Sequence, residues 1–212
     1  MLFSLRRFYN VAQPAMQNAL ENFRDGLPRG DLWVFGYGSL MWSPGFSHTD
    51  RAMGRAHGYH RSLCILSSRY RGTSERPGLV VGLCRGGSCW GMAFRVPSPQ
   101  VRRVAGALWR REMLNKVYIP TMVSLDIGRR RRIRALAFVA DTSHRQFVRK
   151  MDLHQRARLV AQGIGQRGHC VDYIRNTLEH MATLGLRDSH LERVLSAANA
   201  MSLQSLHEKA GR

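Results

Sequence analysis

Apolar and polar positions alternate with two different periods along the chain, and the change of period divides it. From Asp31 to about Val96 the pattern is that of strands. Leu32–Phe35 is a short β-branched and aromatic run after the turn Arg29-Gly30-Asp31. Ala52–Arg61 leads into a second strand over Ser62–Leu66, and Gly78–Cys84 is a nearly continuous apolar run that predicts a buried strand. Arg85-Gly86-Gly87-Ser88 predicts a turn, with Cys89–Arg95 as the hairpin partner of the preceding strand. Glycines inside these strands suggest the bends that curl a sheet toward a barrel.

Helical spacing follows. Val101, Val104, Ala105, Leu108 and Trp109 share one face of a helix, for which Ser98 is the expected N-cap. Tyr118–Leu125 and Arg134–Ala140 predict two further strands joined by an arginine run, and Asp141-Thr142-Ser143 opens a helical C-terminal half. Leu159–Ile164, Cys170–Leu184 and Leu191–Leu203 are its expected helices, separated by Gly165, Gly168 and Gly185. Val11–Phe23 has looser helical spacing and ends near Gly26 and Pro28. Strands first and helices afterwards, with one helix between, predict an α+β fold.

Composition adds little to this picture except charge. The 212 residues suit one domain with a tail, and the 44% hydrophobic content is normal for a globular protein. No apolar run approaches the ~20 residues that span a bilayer, so no membrane partner is expected. The start Met1-Leu2-Phe3-Ser4-Leu5-Arg6-Arg7 lacks the order of a secretory signal, which leads to an expected cytoplasmic location. Cys64, Cys84, Cys89 and Cys170 match no zinc spacing and are expected as buried reduced thiols.

The net charge is +19, and only three of the 33 basic residues are lysines. That excess fits a polyanion partner, attraction of an anionic small substrate, or solvated faces rich in arginine. The arginines are spread along the whole chain, with one dense run at Arg129–Arg132. The aromatics fall in core strands instead of interleaving with the charge, so no specific nucleic acid is expected.

Two places carry candidate chemistry. After Leu32–Phe35 the strand breaks into Gly36-Tyr37-Gly38-Ser39-Leu40. Such a loop presents backbone N–H groups that the sheet no longer uses and can wrap a carboxylate or oxyanion; it can equally be a tight strand exit. Glu112 lies three residues past Trp109, beside the apolar stripe. An acid there is either functional or paired with a neighbour such as Arg110 or Arg111.

The stretch Phe35–Trp42 resembles the signature loop of the γ-glutamylcyclotransferases, in particular the ChaC-like, glutathione-specific branch. Arg71-Gly72-Thr73-Ser74-Glu75-Arg76-Pro77-Gly78, Trp90-Gly91-Met92-Ala93-Phe94 and Trp109-Arg110-Arg111-Glu112-Met113 follow in the order that family uses. The likeness covers roughly Asp31 to Leu195. It implies a small mixed β-barrel with surrounding helices. The implied division is an extension over residues 1–30, a γ-glutamylcyclotransferase-like domain over 31–196, and a helix end and tail over 197–212.

The implied reaction is intramolecular. The α-amine of a γ-glutamyl group attacks its own side-chain amide, 5-oxoproline forms, and the amine partner leaves; for glutathione that partner is Cys-Gly. Glu112 matches the essential carboxylate of the family. Gly36, Tyr37, Gly38, Ser39 and Leu40, with Arg71 and Tyr118 as secondary candidates, are implied to hold substrate. The Arg71 segment could instead be a turn and Tyr118 a core wall. Glu75 is the competing carboxylate. Neither a cofactor nor a metal is implied. The segment Gly165–Cys170 departs from the family's Gly-Ser-Gly-x-Asn-like pattern by lacking the asparagine. The alternatives to a glutathione enzyme are a cyclotransferase for another γ-glutamyl amine and a basic polyanion-binding protein.

Overall fold

Five strands close on themselves. The computed structural model describes residues 17–128 and 131–210. The strands are β1 (Leu32–Gly36), β2 (Asp50–Ser67), β3 (Gly78–Val96), β4 (Tyr118–Ile127) and β5 (Arg131–Ala140). They form a closed mixed barrel in the order β1-β3-β2-β4-β5. β1 closes it by running parallel to β5, with Trp33 beside Ala135 and Val34 beside Leu136; the remaining main pairings are antiparallel. Closure leaves the backbone groups of the sheet paired, which removes exposed edges. The inward residues Phe35, Leu63, Leu79, Leu83, Leu125 and Ala137 are fully buried in one core.

Helices cover the outside. A helix over residues 17–25 (α1) lies against α2 (Val101–Glu112), with Phe23 and Trp109 ring centroids 5.0 Å apart. The expected helix over Val11–Phe23 is described only from residue 17 onward. The buried face of α2 is Val101, Val104 and Leu108, as its spacing predicts, and it packs on Leu32, Val34, Leu136 and Phe138 of the barrel. α3 (Leu153–Gln162), α4 (Cys170–Thr183) and α5 (Ser189–Ala210) form the C-terminal layer.

Four local expectations are corrected. Arg85–Ser88 is no turn: β2 and β3 are one long antiparallel pair from Asp50↔Arg95 to Ser67↔Gly78. Gly86 and Gly87, at φ 96° and 70°, lie opposite the single Gly58, at φ 78°, where the register shifts between His57 and Tyr59. Paired positive-φ glycines suit a hairpin turn and a β-bulge alike, and the long partner strand β2 selects the bulge.

Ser98 does not cap α2. It opens a short 3-10 turn, Ser98–Gln100, and its N–H donates to Asp31 Oδ1 at 2.8 Å. Nor do Asp141–Ser143 start a helix. The Asp141 carboxylate accepts from the Ser143 N–H at 2.9 Å and its hydroxyl at 2.6 Å, closing a local turn. The helical half starts at Asp152, which caps α3 reciprocally with Gln155. α3 ends at Gln162, and Ile164 belongs instead to a minimal hairpin of β6 (Ile164–Gly165) and β7 (Gly168–His169).

Candidate active site

One cavity opens where β1, β2, β3 and the end of α2 meet. Its walls include Tyr37, Gly38, Ser39 and Leu40, the acid Glu112, Arg71, Tyr118 and Tyr173. Of the residues implied to react with or hold substrate, only Gly36 is outside the lining.

Gly36 acts from behind. It ends β1, paired with Met92, and the chain then folds back tightly. A Cβ there would lie 2.9 Å from both the carbonyl carbon and the Cβ of Leu40. Only glycine fits without moving the loop. Ser39–Met41 makes one 3-10 turn, held by Met41 N–H to Gly38 O at 2.8 Å and Ser43 N–H to Ser39 O at 2.9 Å. Tyr37 anchors the loop: its buried hydroxyl donates to Phe138 O at 2.6 Å. Its carbonyl accepts from Arg61 Nε at 2.6 Å.

Glu112 reaches the cavity because the stripe Val104–Leu108 seats α2 on the barrel, which points the last turn at the β1 loop. Its side chain keeps 17% of its exposure, enough for contact with the cavity but little contact with water. Burial pushes its carboxyl up from the ordinary 4.5, and the nearby Arg111 and Arg167 charges pull it partly back.

Arg111, the other member of the Arg-Glu pair, joins the two halves of the site. Its Nε meets Glu112 Oε1 at 3.0 Å. Its Nη2 donates to Ser39 Oγ at 2.9 Å, and Nη1 to Ser43 O at 2.6 Å. Sequence reading treats this arginine only as a possible partner of Glu112. Its neighbouring position gives no hint of the reach to Ser39, 72 residues away.

The secondary candidates also line the cavity. Tyr118 is half-buried; its hydroxyl donates to Val81 O at 3.4 Å, and burial pushes its pKa well up. Arg71 Nη1 donates to His169 O at 3.0 Å, and its guanidinium lies 5.5 Å from the Tyr173 ring centroid. Tyr173, missed in the sequence, accepts the Val81 N–H at 3.3 Å and would contact a Cβ on Gly38 at the same distance. The competing acid Glu75 is exposed and outside the cavity, and hydrogen bonds from its own N–H and from Thr73 hold its pKa down. At the start of α4 the buried Cys170 thiol donates to Leu79 O at 3.0 Å and accepts its N–H at 3.3 Å. All four cysteines are free and buried. Among the described residues, no three His, Cys, Asp or Glu side chains converge to hold a metal.

The same architecture recurs among known proteins. The family model described as ChaC-like protein matches residues 32–201. This chain belongs to the ChaC-like family. A glutathione-specific γ-glutamylcyclotransferase of Escherichia coli (strain K12) is 33% identical over 166 residues, covering 78% of this chain and 72% of that protein. Glutathione-specific γ-glutamylcyclotransferase 1 of Mus musculus is 30% identical over 194 residues, covering 89% and 86%. The crystal structure of a yeast γ-glutamyl cyclotransferase specific to glutathione superposes with a TM-score of 0.74 at 18% identity, over 81% of this chain and 96% of that one. The closed barrel with its helical layer is therefore the fold of this family.

Proposed function

We propose that this ChaC-like chain is a glutathione-specific γ-glutamylcyclotransferase that releases 5-oxoproline and Cys-Gly. The observation that carries the reading is the pairing of a buried carboxylate, Glu112, with the loop from Tyr37 to Leu40 across one cavity. Relatives that carry this activity in their names support it.

Such a reaction asks for few groups. Its nucleophile is tethered to its electrophile, so holding the γ-glutamyl arm folded supplies an effective concentration of ~10⁵ M or more. The α-amine is protonated at neutral pH and must lose that proton before it attacks. Glu112 takes it and returns a proton to the departing amine of Cys-Gly. Its raised pKa suits both transfers, because a carboxylate nearer neutrality is a better base and a usable acid. The oxyanion of the tetrahedral intermediate is met by backbone N–H groups of the Gly38–Leu40 turn. Arg71, stacked on the Tyr173 ring that abuts this turn, takes a carboxylate of the substrate. Tyr118 walls the cavity beside Glu112. The net charge of +19 attracts an anionic tripeptide, and four free buried thiols suit a reducing, cytoplasmic setting.

Incubation with glutathione and with γ-glutamyl-alanine, each followed by direct measurement of 5-oxoproline, tests the reading. Release from glutathione with poor turnover of γ-glutamyl-alanine is expected. Equal turnover of both would move the chain to a cyclotransferase of broader specificity.

A further inference from the structure

The cavity lining holds a third arginine, to which the reaction above gives no contact with substrate. Arg167 lies in the bend between β6 and β7, is exposed, and lines the cavity together with Tyr70. Its guanidinium carbon sits 4.5 Å from the Tyr70 ring centroid, and that of Arg69 is 5.8 Å from the same ring. The bend is fastened to this segment by Gln166 N–H to Arg69 O and Arg167 N–H to Tyr70 O, both at 2.9 Å. Arg69 Nε also donates to Gln166 Oε1 at 3.1 Å. Among the described residues the Arg167 guanidinium has no ion pair and no hydrogen-bond acceptor. A guanidinium held over a ring is positioned yet keeps N–H donors free, which suits a carboxylate.

The two other cavity arginines have other tasks. Arg111 is spent on Glu112, Ser39 and Ser43. Arg71 donates to His169 O and lies over the ring of Tyr173, whose hydroxyl is next to Gly38. Glutathione carries a second carboxylate on its glycine. With the reacting end against Glu112 and the turn, the peptide runs outward, roughly 10 Å for three extended residues. The most exposed residues of the lining include Arg167, Leu114 and Asn115, with Tyr70 under the Arg167 guanidinium.

We propose that Arg167, braced on Tyr70, receives the glycine carboxylate and so sets the preference for glutathione over γ-glutamyl compounds without it. The proposal rests on the cyclotransferase reading. It locates distal recognition on the β6–β7 bend, the segment that departs from the family pattern.

The test compares wild type with Arg167→Gln on glutathione and on glutathione glycine ethyl ester, whose distal carboxylate is masked. The variant leaves the backbone bonds of the bend in place, and circular dichroism checks its fold. Wild type should favour glutathione over the ester through KM, by about 10-fold. Arg167→Gln should raise KM for glutathione by a similar factor and abolish the preference over the ester, while any change in kcat from the lost pull on Glu112 should appear equally with glutathione and the ester. An active wild type whose KM and ester discrimination survive Arg167→Gln would overturn this proposal alone. Wild type that forms no 5-oxoproline from glutathione would overturn the cyclotransferase reading and this proposal with it.

Discussion

Arg111 donates from Nη2 to the hydroxyl of Ser39 at 2.9 Å, tying the last turn of α2 to the loop that follows β1. The same guanidinium holds Glu112 through Nε at 3.0 Å. One planar group therefore sets the spacing between the acid and the loop. Lysine keeps the charge but has no fork that serves both partners. Arg111→Lys should keep the fold by circular dichroism and lower kcat/KM by about tenfold or more. Unchanged steady-state kinetics would mean that the bridge is incidental.

The pH dependence follows from the raised pKa of Glu112. As a base it works only when ionised, so kcat/KM should fall as pH drops through the raised value, above the ordinary 4.5 of a glutamate. Arg111 pulls the pKa down, so its removal in Arg111→Gln should move this acidic limb to higher pH. The sign for stability is fixed by the same shift. The folded state holds the proton more tightly, so the contribution of Glu112 is fully present below 4.5 and is lost as pH rises through the folded pKa. Urea midpoints of wild type and Glu112→Gln should therefore diverge across that window, the glutamine variant losing less on going to neutral pH.

Gly36 limits the shape of the loop. A Cβ placed 2.9 Å from Leu40 carbon atoms and 3.0 Å from Met41 N must displace backbone. Gly36→Ala should destabilise by about 1–3 kcal/mol, an overpacking cost. For a chain of this size each kcal/mol is roughly 2–4 °C of melting temperature. Activity should fall further than stability alone explains, because the turn that faces Glu112 is what moves. A thermal scan and a 5-oxoproline assay on the same sample separate the two effects.

The barrel was legible where neighbours along the chain decide it. Leu32–Phe35, Gly78–Cys84 and Arg134–Ala140 are apolar enough to be strands wherever they pair, and Val101–Leu108 carries its buried stripe in its spacing. Pairing over a distance was not legible. Gly86 and Gly87 suit a turn by local chemistry, and only the full length of β2 makes them a bulge. Ser98 and Asp141 have the right side chains for caps, but the Asp31 carboxylate takes the Ser98 N–H and the Asp141 carboxylate is occupied by Ser143. In the site, the loop and Glu112 stand out because glycine density and a misplaced acid are local anomalies. Arg111, Tyr173 and Arg167 do not, since one arginine among so many reveals nothing until its partners are known.

The central claim is that the Glu112 carboxylate moves the protons of the cyclisation. The most direct measurement is 5-oxoproline release from glutathione by wild type and Glu112→Gln, with folding and glutathione binding followed on the same preparation. Glutamine keeps the size and most hydrogen bonds and removes the base. A folded variant that still binds glutathione and turns over slower by about 10² or more is the predicted result. A folded variant with turnover near that of wild type would contradict it.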